Sequence, residues 1–392
     1  MSHWVTFTSI GSRTTVPGII LEDILRITSR GRVTSGIALI GTSALLLAGC
    51  AAAPEATDET AVALDYLPCI VSDAGGFDDK SFNQLGFEGL TEAAAALGVE
   101  YKSAESTSET DYAPNLDSLI SAGCDIIVTV GFALSAATVT AALANPEVEF
   151  AIIDDAADND FDGEVDAPNI KPILFDTAQA AFLAGYASAS YSKTGVVGTF
   201  GGIGYPTVTI FMDGFAQGVT YYNEQKDADV TVLGYDPANP EAATMTGGFE
   251  ANDTAKSTAA NLIDQDADVI FPVGGPIFQS AGAAIVDSGK DVALLGADAD
   301  VFETFPTYDD LYFTSVLKGM KPATSEVVTA AAEEGGFDST SYIGTLENDG
   351  VGIAPFHAFE DKVDAGLADE LEAIKASIIA GDITVTSYLA AS

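Results

Sequence analysis

From Leu64 onward, short apolar segments alternate with longer amphipathic segments of helical period. Two of the apolar segments, 126–130 and 269–273, are almost continuously apolar, which is typical of parallel strands covered by helices on both faces. Strands are predicted at 66–72, 98–102, 125–130, 149–153, 172–175, 196–200, 230–234, 268–273, 292–296, 313–317 and 351–355. Helices are predicted at 81–96, 112–122, 134–144, 177–191, 207–224, 254–265, 277–288, 321–335 and 364–380.

Strands that alternate with helices indicate βαβ units, and βαβ units build parallel sheets. Eleven predicted strands exceed the usual width of one twisted open sheet, so two sheets of five or six strands fit the pattern better. The predicted fold class is therefore α/β, with two lobes that each consist of a parallel sheet flanked by helices.

The stretch from Ile70 to Leu90 joins the first predicted strand to the first predicted helix. Gly75 and Gly76 break the apolar run, because glycine adopts backbone angles that other residues avoid. Ser81 is a suitable N-cap for the helix. The first helical turn therefore directs free N–H groups and polar side chains toward the carboxyl end of the strand, where open α/β sheets bind ligands.

Residues 1–49 are assigned to a signal region. Three arginines between positions 26 and 32 precede an apolar run at 37–47 that is too short to span a bilayer comfortably. The run ends in Leu-Ala-Gly-Cys50, which resembles the lipobox of bacterial lipoproteins, so Cys50 is the expected lipidation site. An ordinary secretory signal is the alternative. Cys50 would be followed by a disordered tether as far as residue 62, because this segment is rich in Ala, Pro, Thr and acidic residues.

The composition of the chain restricts the kinds of molecule that it is expected to bind. The formal net charge is −43, so nucleic acid is not expected as a partner, because phosphate binding needs basic patches. No arginine follows Arg32, which excludes a site built on bidentate arginine clamps.

The sequence offers little support for an enzymatic activity. His357 is the only histidine after the signal region, and the chain has no G-x-S-x-G motif. We interpret His357 as a structural hydrogen-bonding residue near an interdomain crossing. Gly201-Gly-Ile-Gly204 lacks the full dinucleotide fingerprint and is interpreted as a tight turn at a ligand cleft. We therefore expect neither an enzyme nor a cofactor.

The segment after strand 149–153 is acidic and matches the first half of a calcium-binding loop, with carboxylates at Asp158, Asp160, Asp162, Glu164 and Asp166. The last position of such a loop holds a bidentate glutamate, and here it is Asn169. We interpret the segment as an acidic surface insertion, with a weak structural calcium site as the alternative, and expect no other metal.

Two cysteines, Cys69 and Cys124, lie near the starts of predicted strands in a chain that is expected to be exported. A disulfide can form if the two strands are neighbours. Two buried thiols are the interpretation we favour.

The opening stretch also carries a family resemblance. Asp73-x-Gly-Gly-x-Asp-Asp-Lys-Ser-Phe-Asn-Gln84 resembles the opening motif of the basic membrane protein family, the nucleoside-binding lipoproteins that serve ABC importers. Further similar segments follow in the family's order: 125–132, 150–154, 181–186, 211–218, 264–271, 296–300, 314–318 and 348–357. The resemblance covers the chain from Leu64 to the C-terminus. It implies a type I periplasmic-binding-protein fold, with an N-terminal lobe of 62–176 plus 300–330 and a C-terminal lobe of 177–298 plus 331–392.

The resemblance also implies a ligand site between the lobes. Phe82 and Phe211 each open a predicted helix, one in each lobe, and rings on both sides of a flat base would add about 0.5–1.5 kcal/mol per stacked pair. Asn83 can hydrogen-bond the base edge, and Asp154, Asp298 and Lys318 can bond the ribose. The expected ligand-binding residues are Asp73, Asp79, Phe82, Asn83, Gly131, Phe132, Asp154, Phe211, Gly274, Asp298 and Lys318.

Two segments depart from the family's pattern. Gly274-Gly-Pro-Ile stands where the family often has Gly-Gly-Thr-Gly, and Asp298-Ala-Asp-Val stands where it often has Asp-Ser-Asp-Gln. These changes remove polar groups near the ligand, so the preferred base stays open.

The expected protein is a lipid-anchored solute-binding protein of an ABC importer, exported to the extracytoplasmic face of the cell membrane, that binds a purine nucleoside between hinged lobes. Its expected partners are the nucleoside, an ABC permease, and the membrane through the lipid anchor only. One alternative is a binding protein for a sugar or a sugar-derived signal. The other is an exported nucleoside-processing enzyme, against which the single mature histidine stands.

Overall fold

The computed structural model describes residues 64–389, so the predicted signal region, Cys50 and the tether up to residue 62 lie outside the described part of the chain. The strands of the described part are β1 (Pro68–Val71), β2 (Lys102–Ala104), β3 (Ile126–Val130), β4 (Glu149–Ile153), β5 (Ile170–Phe175), β6 (Val196–Gly201), β7 (Thr231–Leu233), β8 (Val269–Val273), β9 (Ala293–Asp298), β10 (Tyr312–Lys318), β11 (Tyr342–Gly344) and β12 (Val351–Ile353).

Helices cover these strands in the order that the alternating pattern predicts. They are α1 (Phe82–Leu97), α2 (Tyr112–Ser121), α3 (Ser135–Ala144), α4 (Thr177–Tyr191), α5 (Pro206–Lys226), α6 (Asp253–Asp264), α7 (Ile277–Ser288), α8 (Val301–Thr304), α9 (Met320–Ala331) and α10 (Leu367–Ile379). Within the described part of the chain, no helix combines the length and the apolar character that crossing a membrane requires.

The strands form two six-stranded sheets, which confirms the predicted α/β fold with two lobes. The first sheet has the order β11-β5-β4-β3-β1-β2, and all its neighbouring strands are parallel. The second has the order β12-β10-β9-β8-β6-β7, and only β12 runs antiparallel to its neighbour. Every residue of β3 and β8 is buried, as their apolar sequences predict.

Within residues 64–389, the chain passes between the lobes three times: after β5, after β10, and between β11 and β12. Backbone hydrogen bonds connect these passages. The N–H of Asp176 donates to the carbonyl of Gly344 (2.8 Å), and the N–H of Gly319 donates to the carbonyl of Gly350 (2.7 Å). Three bonded passages at one side of the molecule form a hinge, about which the lobes can open and close.

The predicted lobe boundaries near the C-terminus are wrong. We expected 300–330 in the first lobe, but β10 lies in the second sheet beside β9, and of this range only α9 packs on α1 of the first lobe. We expected 331–392 in the second lobe, but β11 joins the edge of the first sheet. The second error arises because β11 has only three residues, too few to give a periodic pattern in the sequence.

The interpretation of two buried thiols is also wrong. Cys69 and Cys124 form a disulfide, with their Cα atoms 6.0 Å apart. Cys69 lies on β1, and Cys124 lies just before β3, the strand that pairs with β1. Because β2 comes between these strands in the chain but lies outside them in the sheet, sequence order could not show that they are neighbours.

The disulfide gives a stability prediction. Replacing both Cys69 and Cys124 with alanine should lower the free energy of unfolding by about 4 kcal/mol, because a cross-link across 55 residues restricts the unfolded chain. Guanidinium unfolding of the wild type and the double variant measures the difference. Cys50→Ala is the matched control and should leave the midpoint unchanged. A double variant as stable as the control would contradict the cross-link.

Candidate functional site

Two aspartates occupy matching positions in the two lobes. Asp154 directly follows β4 of the first sheet, and Asp298 ends β9 of the second. Both have left-handed backbones, with φ values of 63° and 68°. Aspartate tolerates this conformation better than most residues, and such backbones are frequent at functional sites. Both side chains are buried, so each lobe contributes one buried carboxylate at a strand end.

Lys318, the last residue of β10, joins these two carboxylates. Its Nζ donates a hydrogen bond to Asp154 Oδ2 and lies 3.3 Å from Asp298 Oδ1. Only 6% of the residue is exposed. The same nitrogen lies 5.1 Å from the ring centroid of Phe82 and 5.0 Å from that of Phe211. Four predicted site residues from both lobes therefore surround the ammonium group of a fifth, Lys318.

The charges in this cluster do not balance. Burial raises the pKa of Asp154 and of Asp298, and the nearby ammonium only partly opposes this effect. Burial alone would lower the pKa of Lys318, but the two carboxylates outweigh it and raise that pKa. Although Asp298 Oδ1 is close to Nζ, it makes no hydrogen bond of acceptable angle within the described residues. The cluster thus holds a buried acceptor that a hydroxyl group of a ligand could satisfy.

Asp79 caps the first helix. Its carboxylate accepts the backbone N–H groups of Ser81 (3.0 Å), Asn83 (2.8 Å) and Gln84 (3.1 Å). The predicted capping role of Ser81 is wrong, because Ser81 occupies the N-cap position but its buried hydroxyl makes no hydrogen bond within the described residues. The oxygens of Asp79 are thereby directed at the helix and at Asn83.

Asn83 positions Asp73. Its amide nitrogen donates to Asp73 Oδ1 (2.7 Å) and Asp79 Oδ2 (3.1 Å), and its oxygen accepts the backbone N–H of Asp73 (3.1 Å). Both amide hydrogens are therefore engaged, which differs from the expected contact with a base edge. Asp73 Oδ2 and Phe82 flank Gly131, since a Cβ atom there would lie 3.2 Å from the oxygen and 3.3 Å from Phe82 Cε1. Burial raises the pKa of Asp73.

Two expected site residues contact other aromatic side chains. The ring of Phe132, in the first lobe, lies against Tyr205 of the second lobe, with 3.8 Å between centroids. Gly274 lies so close to the ring of Phe249 that a Cβ atom at this position would be only 2.6 Å from Phe249 Cδ1. Tyr205 and Phe249 were not predicted as site residues. Tyr205 lies between a strand and the helix it immediately precedes, much as Phe82 begins the helix after β1, and this position is a usable signal. Phe249 lies in a long loop and has no such signal.

Phe82 and Phe211 differ in burial. Phe82 is partly buried at the start of α1, whereas Phe211 is only 2% exposed and packs edge-on against Phe271 in the core of the second lobe. The Lys318 ammonium contacts both rings in this structure. A cavity of about 450 Å³ begins at Asp298 and Lys318 and extends along the hinge toward Lys375. A base could therefore enter between the rings only if the lysine side chain moved or the lobes opened.

The acidic insertion and His357 make none of the contacts of the Lys318 ammonium described above. Ligand atoms of Asp158, Asp160 and Asp166 lie within 4.8 Å of one another, but Asp162 and Glu164 are not part of the group. Several of these carboxylates accept backbone N–H groups of their own loop. His357 bonds Asp300 through Nε2 (2.8 Å) and stacks on Phe302, which confirms its predicted structural role.

Two parallel-sheet lobes, joined at a hinge and with polar side chains facing each other at the strand ends, have the architecture of the type I periplasmic-binding-protein fold. A solved solute-binding protein of an ABC transporter system from Aeropyrum pernix K1 has this fold, with a TM-score of 0.72 at 23% identity over 83% of this chain and 94% of that one.

The chain belongs to the family described as ABC transporter substrate-binding protein PnrA-like, whose model matches residues 68–386. The ABC transporter nucleoside-binding protein BmpA of Lactococcus lactis is 28% identical over 374 residues, 91% of this chain and 99% of the relative. Basic membrane protein A of Borreliella burgdorferi is 28% identical over 319 residues, 80% of this chain and 86% of the relative. The resemblance to basic membrane proteins is confirmed.

The charge imbalance gives a prediction that compares two matched variants. Asp298→Asn should leave the stability of the ligand-free protein unchanged or raise it, because it removes one of two negative charges that share a single ammonium and leaves a neutral ion pair with Asp154. Asp154→Asn should lower the free energy of unfolding by about 3 kcal/mol, because it removes the hydrogen-bonded partner of a buried ammonium. Asparagine also tolerates the left-handed backbone at both positions.

Guanidinium unfolding of both variants and the wild type at neutral pH measures the two effects. Equal losses of stability, or a larger loss for Asp298→Asn, would contradict this assignment of charges.

Proposed function

We propose that the protein binds a nucleoside, in particular a purine nucleoside, in the cleft between its lobes. The observation that carries this proposal is the meeting of Phe82 and Phe211 with Asp154, Asp298 and Lys318 around one point. A nucleoside combines a flat aromatic base with a sugar that has several hydroxyl donors. The cluster offers the matching groups, which are aromatic rings for the base and buried carboxylates for the hydroxyls.

Ligand entry would exchange one set of contacts for another. In this structure, the ammonium of Lys318 contacts both rings. A base that enters between the rings would displace the ammonium toward the ribose, while a ribose hydroxyl donates to the unpaired oxygen of Asp298. Opening and closing about the hinge would admit the ligand and then enclose it.

Delivery to a permease and lipid anchoring belong to the same proposal. Membership of an ABC substrate-binding family supports a permease as the partner. The lipobox-like sequence that ends at Cys50, after an apolar run, supports an anchor on the extracytoplasmic face of the membrane. The tether as far as residue 62 would then leave the two lobes free to reach the permease.

The sugar-binding alternative shares the fold, because a solved arabinose-binding protein from Geobacillus stearothermophilus aligns with a TM-score of 0.56 at 14% identity. Two rings that contact the same ammonium favour a flat aromatic ligand over a sugar alone. The relative from Lactococcus lactis, a nucleoside-binding protein by name, supports the same choice.

Calorimetric titration tests the ligand class. We expect inosine, guanosine or adenosine to bind with micromolar or tighter affinity, and ribose, arabinose and myo-inositol to give no heat at the same concentrations. Sugar binding without nucleoside binding would overturn the proposal in favour of the alternative.

A single substitution tests the role of the base-stacking ring. Phe82→Ala should weaken nucleoside binding about tenfold to a hundredfold, because it removes both stacking and apolar burial. Phe161→Ala is the control, since Phe161 is 90% exposed on the acidic insertion, and this variant should bind like the wild type. Circular dichroism confirms that both variants fold. Wild-type affinity in a folded Phe82→Ala protein would place Phe82 in the core instead of the site.

A further inference from the structure

The segment that follows α10 turns back toward the cleft. α10 is fixed to the second lobe, because Glu370 accepts hydrogen bonds from the hydroxyl of Tyr186 on α4 (2.7 Å) and from Lys226 Nζ on α5 (2.6 Å). After the helix, Gly381 has a left-handed backbone with a φ of 78°, which reverses the direction of the chain. The residues beyond it can therefore run back along the second lobe.

Two residues anchor this segment on the second lobe. The side chain of Val385 is buried in the core. The backbone N–H of Thr386 donates to Gln217 Oε1 (2.8 Å), and the carbonyl of Thr386 accepts a hydrogen bond from Gln217 Nε2 (2.9 Å). Because one amide side chain of α5 pairs with both polar backbone groups of Thr386, this residue is held in one position on the helix.

The next residue, Ser387, lies at the first passage between the lobes. Burial raises the pKa of Asp176, the residue directly after β5, and the Ser387 hydroxyl beside it partly opposes this effect. The same hydroxyl accepts the backbone N–H of Leu389 (3.1 Å), which forms a tight turn around Tyr388. The turn fixes the backbone from which the tyrosine ring extends.

Tyr388 extends from the surface to the cleft edge of the first lobe. The residue is 52% exposed, yet burial of its hydroxyl raises its pKa, and the charges of Asp154, Asp155 and Asp176 raise it further. One side of the ring is thus open to solvent, whereas the hydroxyl faces these carboxylates. Asp154 and Asp155 directly follow β4, so they lie at the carboxyl edge of the first sheet.

The second lobe lies on the other side of this tyrosine. Tyr388 lines a cavity of about 410 Å³ together with Gly204, which follows β6, and Pro206, which begins α5. Both of these residues lie at the carboxyl edge of the second sheet, so one side chain lies between the cleft edges of the two lobes. The lobes cannot separate at this place unless the hydroxyl leaves the carboxylates or the segment leaves α5.

We propose that residues 386–389 form a strap that is fixed on the second lobe and holds the cleft edge of the first lobe through Tyr388. The strap withdraws whenever the cleft opens, so it slows the entry and the exit of a ligand alike. It adds little affinity, because the tyrosine hydroxyl faces carboxylates of the protein itself. The ligand part of this inference rests on the proposed nucleoside function, whereas the contact of the strap with the first lobe does not.

Stopped-flow mixing with inosine tests the strap, because it gives the association and the dissociation rate constants separately. Tyr388→Ala should raise both about three- to tenfold, since roughly half the burial of an aromatic side chain is lost, and should leave the dissociation constant within about twofold of the wild type. Gln217→Ala, which detaches the strap at its anchor, should act in the same direction. The double variant should be no faster than the quicker single variant, because both changes release one strap.

Tyr101→Ala is the matched control for the loss of a tyrosine. Tyr101 is 40% exposed, but it lies just before β2, at the edge of the first sheet opposite the cleft, so this variant should keep the wild-type rates. Circular dichroism confirms that the variants fold. Wild-type rates in both strap variants would overturn the proposal. Faster release with unchanged association and a proportional loss of affinity would make Tyr388 a ligand contact, which would overturn it as well.

A second measurement needs no ligand. The backbone N–H of Thr386 is bonded to Gln217, so exchange of this amide with deuterium reports how often the strap detaches. Tyr388→Ala should speed this exchange by a factor similar to that of the ligand rates and leave exchange in α6 unchanged. Unchanged exchange at Thr386 would disprove the strap even if nucleosides bind. Failure of the wild type to bind nucleosides, with exchange as expected, would instead disprove only the nucleoside function.

Discussion

A single buried ammonium group organises the centre of this protein. Lys318 leaves the second sheet and meets one carboxylate from each lobe, Asp154 and Asp298, in surroundings from which water is excluded. A buried lysine is costly unless it is paired, so the pairing requires the two lobes to approach each other. The chain has 58 acidic and only 15 basic residues, and after Arg32 every basic side chain apart from His357 is a lysine, so few side chains could serve as this counterion. The position of Lys318 therefore constrains the whole cleft.

Two kinds of contact, one ionic and one aromatic, hold the two lobes together at different places in this structure. Near the hinge, the lobes meet through charge, at Lys318. Away from the hinge, they meet through two aromatic rings in contact, those of Phe132 and Tyr205. A nucleoside whose base replaces the Lys318 ammonium between Phe82 and Phe211 can keep the lobes together at this point. The hydroxyl groups of its sugar can then take over part of the hydrogen bonding that the lysine gives to the carboxylates. The second contact does not depend on such an exchange.

The sequence allowed the sheets and most of the cluster to be predicted, because the signals there are local. The apolar runs of β3 and β8 identify buried parallel strands, and a polar residue after such a strand lies at the carboxyl edge of the sheet. The positions of Asp154 and Asp298 at strand ends agree with this rule, whereas their selection as site residues came with the family resemblance. Asp154 and Asp298 meet at Lys318 only because the two lobes face each other. The family resemblance implied this arrangement, whereas the local sequence pattern did not.

The features that were missed depend on contacts distant in sequence or on very short elements. The pairing of Cys69 with Cys124 requires β1 and β3 to be neighbours, and β11 has only three residues. Phe249 reaches the cleft because its loop is bonded to β6, an arrangement with no periodic signature. Asp79, and not the predicted Ser81, caps the first helix, because its carboxylate accepts several N–H groups at once. N-cap propensity alone could not distinguish between the two residues.

A crystal structure of the protein grown with inosine tests the central claim most directly. The account predicts that the base lies between Phe82 and Phe211, that a ribose hydroxyl donates to Asp298, and that the Lys318 ammonium has moved from the rings toward the sugar. Inosine bound elsewhere, with Lys318 still in contact with both rings, would contradict it.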